Sequence, residues 1–114
     1  MSLPPLVPLS ADLSVSPQLD ESAMAALAQA GFKSVINNRP DHEGRADQPT
    51  SASMQLAAIS AGLVYAHLPV SPAVQSAEEI AQFRALIDTM PKPILAVCRT
   101  GTRSGKLFQA AQLV

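Results

Sequence analysis

The chain has 114 residues, 47% hydrophobic and 15% charged, with a net charge of −1 and a single cysteine. That length and hydrophobic fraction describe one domain able to bury a core without metals or disulfides, and they exclude a disordered chain. A near-neutral balance with no basic run excludes a nucleic-acid footprint, and no apolar run approaches the ~18 residues of a membrane-spanning helix.

The opening MSLPPLVPLS is interrupted by Pro4, Pro5 and Pro8 and lacks a basic leader. It reads as an irregular arm over residues 1–10, with the folded domain at 11–114. Leu13–Ser16 is expected to be a strand that stops at Pro17. Asp20 stands as an N-cap before ESAMAALAQA, whose Met24, Leu27 and Ala28 share a helical face, and Gly31 is the stop signal. FKSVINN follows, with Phe32, Val35 and Ile36 marking a buried strand that Asn37, Asn38, Arg39 and Pro40 terminate.

The polar loop DHEGRADQPT leads to a helix over Ala52–Ala61, ended by Gly62, and LVYAHLPV is the next strand. Ser76 and Glu79 have the spacing of a capping box, so a helix should begin at Ala77, with Ile80, Phe83, Leu86 and Ile87 as its apolar stripe. After Pro91 and Pro93, ILAV reads as a buried strand and RSGKLFQAAQLV as a last helix beginning near Arg103 or Ser104. Alternating strands and helices predict an α/β fold, a mostly parallel central sheet flanked by helices. In such folds ligands bind beyond the carboxyl ends of the strands, which is where Cys98 falls.

The stretch CRTGTRS, Cys98–Ser104, has the parts of an anion cradle. A tight loop between a strand and a helix turns several N–H groups toward one point, and the helix N-terminus adds partial positive charge. Gly101 permits a positive φ. A thiol beside Arg99 and Arg103 is expected to favour its thiolate form, the nucleophile. Cys98 and Arg103 are therefore the expected catalytic pair. Arg99, Thr100, Gly101, Thr102 and Ser104 are expected to bind the anion, with Ser104 either bonding the thiolate or capping the helix. Arg39, at a strand's carboxyl end, either lines the same pocket or forms a surface ion pair.

CRTGTRS resembles the active-site loop of rhodanese-type sulfurtransferases, C-R-x-G-x-R followed by Ser or Thr. It is also similar to a shortened cysteine-dependent phosphatase loop, H-C-x-x-G-x-x-R followed by Ser or Thr. With SVINNRPD, AGLVYAHLPV and the helix before ILAVCRTGTRS, the chain from Leu13 onward resembles a bacterial family, the phosphatase-like domain of beta-lactamase hydrolase-like proteins. The resemblance implies a dual-specificity or tyrosine-phosphatase-like fold.

Three departures from the phosphatase pattern are readable. Only four residues separate Cys98 from Arg103, where the phosphatase loop has five; Val97 replaces its histidine; and PVSPAVQSA carries no acid where the family's Asp would stand. Sulfur transfer needs no such acid. The expected activity is thus a sulfurtransferase that forms a persulfide on Cys98, with a small anionic sulfur donor and a thiol or cyanide acceptor. The alternative is a phosphatase acting on a phosphate ester through a phosphocysteine, with Asp41, Glu43 or Asp47 as general acid. A third reading is a thiol sensor of oxidants or persulfides without turnover.

His42 and His67 do not form a metal-ligand spacing, and no metal, cofactor, nucleic acid or membrane partner is expected. One cysteine fits a reducing compartment, so a cytoplasmic setting is expected. The ending at Leu113 and Val114, mid-way along an apolar helix face, leaves open a continuation past Val114, such as a fused enzyme of sulfide metabolism.

Overall fold

A computed structural model describes residues 3–44 and 46–114. Five strands, β1 (Val7–Pro8), β2 (Leu13–Ser16), β3 (Ser34–Asn37), β4 (Val64–His67) and β5 (Ile94–Val97), form one sheet in the order β1-β2-β5-β3-β4. All pairs are parallel except β1 with β2. The expected arm therefore contributes an edge: Val7 lies opposite Val15 and Pro8 opposite Ser14. Proline is tolerated there because only one side of an edge strand must donate to a neighbour. Met1 and Ser2, the start of the expected arm, lie outside the described residues.

Side chains alternate across β3 and β5, and that alternation divides the core. Val35, Leu95 and Val97 pack with Met24 and Leu27 of α1 (Ala23–Gln29) and with Met54 and Ala58 of α2 (Ser51–Ser60). Ile36, Ile94 and Ala96 face the other way, onto Phe83 of α3 (Ala77–Thr89) and Leu107 and Ala111 of α4 (Thr102–Ala111). The fold is a three-layer α/β domain with α1 and α2 on one face and α3 and α4 on the other. Because β3 and β5 are covered on both faces, every residue of each is buried, and β5 reads as a continuous apolar run.

The helix starts use local chemistry. Ser76 accepts from the Glu79 N–H and Glu79 accepts from the Ser76 N–H, closing the expected capping box. At α1 the N-cap position belongs to Ser22, not Asp20, although the Asp20 carboxylate still accepts the Ala23 N–H at 3.2 Å. The last helix opens at Thr102, with Gly101 as its N-cap.

Register places the site. Ser34 pairs with both Ile94 and Val64, and Leu13 with Ile94. The carboxyl ends Ser16, Asn37, His67 and Val97 consequently stand in one row across the sheet. The segments that follow them, including Gln18, Arg39 and Cys98, emerge at the same end. Among the described residues no helix is long and apolar enough to cross a membrane.

Candidate anion-binding site

Cys98 is the first residue past the central strand β5 and only 1% exposed, at the floor of a cleft of about 290 Å³. The cleft is lined by Cys98, Arg99, Thr100, Thr102, Arg103 and Lys106, with Glu43 and Pro72 reaching in from the loops after β3 and β4. The Gly101 N–H donates to Cys98 Sγ at 3.0 Å. That contact needs the loop to turn back sharply, and Gly101 has φ +90°. A β-carbon there would meet the Ser16 carbonyl carbon at an ordinary contact distance of 3.4 Å, so it is the positive φ that favours glycine.

Arg103 is 7% exposed. Its Nη1 donates to the Val70 carbonyl at 3.0 Å and more weakly to the Asn38 carbonyl at 3.4 Å, while Nη2 donates to Glu43 Oε1 at 2.9 Å. Its Nε is buried and has no hydrogen-bond partner among the described residues. An unsatisfied donor on a buried cation costs free energy unless an acceptor reaches it. The donor set therefore fits a small oxyanion.

Ser104 does neither of the things expected of it. Its hydroxyl donates to Asn38 Oδ1 at 2.8 Å, tying α4 to the segment after β3. It is fully buried in the first turn of α4. Arg39 is 7% exposed and lines an adjoining hollow with Gln18, Glu43, Gly44, Asp47, Gln48, Pro49 and Arg99. Its Nε donates to Glu43 Oε1 at 3.0 Å and its Nη1 to Gln18 Oε1 at 3.1 Å. It thus forms a buried ion pair beside the cleft, where the expectation was either a lining role or a surface pair.

The three expected acids separate. Asp41 accepts the Ser51 N–H at 2.7 Å and serves the start of α2. Asp47 lines the hollow beside Arg39 and not the Cys98 cleft. Glu43 alone borders the Cys98 cleft. Burial pushes its carboxyl upward, but the bonds and charges of Arg103 and Arg39 together outweigh this and hold it below the ordinary value of 4.5. It is a carboxylate between two guanidinium groups, poorly suited to deliver a proton.

Sequence reading missed the bonds that fix the Glu43 arch. His42 takes φ +63°, a left-handed conformation costing a non-glycine residue about 1–2 kcal/mol. Gln48 spans the arch, accepting the Gly44 N–H at 2.7 Å and donating to the Pro40 carbonyl at 2.9 Å. Below it, Tyr65 OH meets Ser51 Oγ at 2.9 Å and accepts from Asn37 at 3.1 Å. Burial raises the Tyr65 phenol; the bonds from Ser51 and Asn37 oppose this, and the nearby Asp41 charge adds to it. His67 Nε2 donates to the Arg39 carbonyl at 2.8 Å, a positioning bond at the sheet's end. Among the described residues no three His, Cys, Asp or Glu side chains group as metal ligands would.

The sequence model for the phosphatase-like domain of beta-lactamase hydrolase-like protein matches residues 6–114. The chain belongs to that family. A beta-lactamase hydrolase-like protein of Xylella fastidiosa is 31% identical over 109 residues, 96% of this chain and 25% of the relative. The chain thus spans about a quarter of the length of the curated relatives it matches. Among solved structures, a candidate phosphatase of Neisseria meningitidis is 37% identical with a TM-score of 0.83, covering 90% of this chain and 72% of that one. Tk-PTP in its active form has a TM-score of 0.70 at 16% identity, over 97% of this chain and 82% of that one, a likeness of fold. The architecture is that of the tyrosine- and dual-specificity-phosphatase folds, as the resemblance implied. These relatives favour the phosphatase alternative over the expected sulfur transfer, for which they offer no support.

Proposed function

We propose that this domain is a cysteine-dependent phosphatase that works through a phosphocysteine on Cys98. The observation that carries the reading is the pairing of Cys98 Sγ, held by the Gly101 N–H, with a buried Arg103 whose Nε awaits an acceptor. Phosphoryl transfer asks the protein chiefly for positioning and for donors aimed at developing charge. The loop N–H groups from Arg99 to Ser104 and the start of α4 supply those donors, Arg103 clamps the equatorial oxygens, and Cys98 attacks. The thiolate forms the S–P bond as the P–O bond breaks and its electron pair leaves with oxygen. Water then attacks phosphorus, the S–P pair returns to sulfur as thiolate, and both water protons leave with the phosphate as dihydrogen phosphate.

Membership of a phosphatase-like family and the Neisseria structure support this reading. The test is hydrolysis of p-nitrophenyl phosphate by the wild-type domain beside Cys98→Ser. Turnover lost in the variant is expected; no turnover, with no phosphorylated protein by intact mass, rejects the reading.

The loop length favours a second reading. With four residues between Cys98 and Arg103, the ring of donors is smaller than in the phosphatase pattern and suits a single sulfur atom. In that reaction the thiolate takes the outer sulfur of thiosulfate, sulfite leaves with the electron pair, and a thiolate or cyanide removes the sulfur. A gain of one sulfur atom on incubation with thiosulfate, absent in Cys98→Ser, would establish it. A thiol sensor would show the same gain without turnover, so turnover with thiosulfate and cyanide separates the two. A cytoplasmic setting and a partner enzyme of sulfide metabolism are parts of this proposal that localisation and co-purification would test.

A further inference from the structure

On the phosphatase reading, Cys98 and Arg103 deal with the phosphoryl group and leave the departing oxygen to be accounted for. The loop after β4, residues 68–76, forms one wall of the cleft through Pro72 and contains no carboxylic acid. Among the described residues Glu43 is the only carboxylate on the cleft, and its Oε1 accepts from both Arg39 and Arg103. The remaining polar side chains lining it are Arg99, Thr100, Thr102, Arg103 and Lys106. Guanidinium, ammonium and hydroxyl groups are all weak acids at neutral pH. Asp47, the next carboxylate, borders the neighbouring hollow. Positive charge is abundant instead. Arg99 and Lys106 line the cleft with no carboxylate partner among the described residues, and cations placed where negative charge develops stabilise it.

We propose that the preferred substrates are phosphoryl compounds whose leaving group departs as a stabilised oxyanion: aryl phosphates, acyl phosphates and phosphoanhydrides. Cys98 displaces the group, the P–O electron pair leaves on oxygen, and no proton is transferred in that step. Arg99 and Lys106 meet the departing charge. Alkyl phosphates, whose alkoxide needs a proton, are poor substrates.

The experiment is a leaving-group series on the wild-type domain, from p-nitrophenyl phosphate through phenyl phosphate to glycerol phosphate. It is read as kcat/KM, which reports phosphocysteine formation whatever the rate of its hydrolysis. The expected result is a steep decline along the series, with alkyl phosphate slower by roughly the 10²–10⁴ that a general acid is worth. Glu43→Gln should leave the steepness unchanged, and Arg99→Ala with Lys106→Ala should increase it. A flat series would overturn the inference while leaving the phosphatase reading intact, because it requires a proton donor. A series that is shallow in the wild type and steep in Glu43→Gln would overturn it likewise and name Glu43 as that donor. Failure of every substrate, p-nitrophenyl phosphate included, would reject the phosphatase reading and this inference with it.

Discussion

The loops after β5 and β3 both shape the cleft, the first with Arg99 and the second with Glu43, and they are built in opposite ways. The first turns from strand to helix in the four residues Cys98–Gly101, so its shape follows from backbone geometry: a positive φ at Gly101 and an N–H returned to sulfur. The second is a longer arch, and among its described residues side chains hold it, with Gln48 bonded to Pro40 and Gly44, Asp41 anchored on Ser51, and Glu43 tied to Arg39 and Arg103. A short turn confines its chemistry to a contiguous motif, whereas a long arch assembles it from residues far apart in sequence.

Damage to the first loop should therefore be the more severe. Cys98→Ser removes the nucleophile and should lower turnover by roughly 10³-fold or more, with little change in urea midpoint, since the substitution is nearly isosteric. Arg103→Lys keeps the charge but loses the fork that spans Val70, Asn38 and Glu43. Its expected cost is roughly 10²–10³ in kcat, the worth of one oriented donor in a reaction of this kind. Gly101→Ala places a β-carbon at φ +90° and should lower stability by about 1–2 kcal/mol, read from urea denaturation.

The arch should respond chiefly to pH. Glu43 titrates lower in the folded domain than in the unfolded chain, where its value is near 4.5. Its contribution to stability is thus complete above that value and is lost as pH falls through the lower folded one. A urea midpoint followed downward from pH 5 should decline more steeply in the wild type than in Glu43→Gln; equal slopes would show that the arch gains nothing from this ion pair. The smallest effect should come from Gly44→Ala, whose β-carbon would collide with Arg39 Nη2. The guanidinium tip must shift, and the Arg39–Glu43 bond should weaken without loss of the fold.

The same contrast explains how much the amino-acid order discloses. Periodicity, capping and proline or glycine stops are short-range signals, and α2, α3 and the four parallel strands fall within a few residues of where those signals put them. The Cys98 loop is legible for the same reason. The edge strand at Val7 is not, because two residues carry no period, and it exists only through pairing with β2. The role of Ser104 is also hidden, since its partner Asn38 lies 66 positions earlier in the chain. Glu43, Asp41 and Asp47 look equivalent as letters in one polar loop. Only the fold of that loop separates the carboxylate on the cleft from the two turned elsewhere.

The burial of the sole thiol at the cleft floor also has a redox consequence. A sulfenic acid formed on Cys98 would find no second cysteine in this chain with which to close a disulfide. Its return to the thiol would depend on a reductant small enough to enter by the route the substrate uses. Any anion resting in the cradle would then shield the sulfur from oxidant and reductant alike.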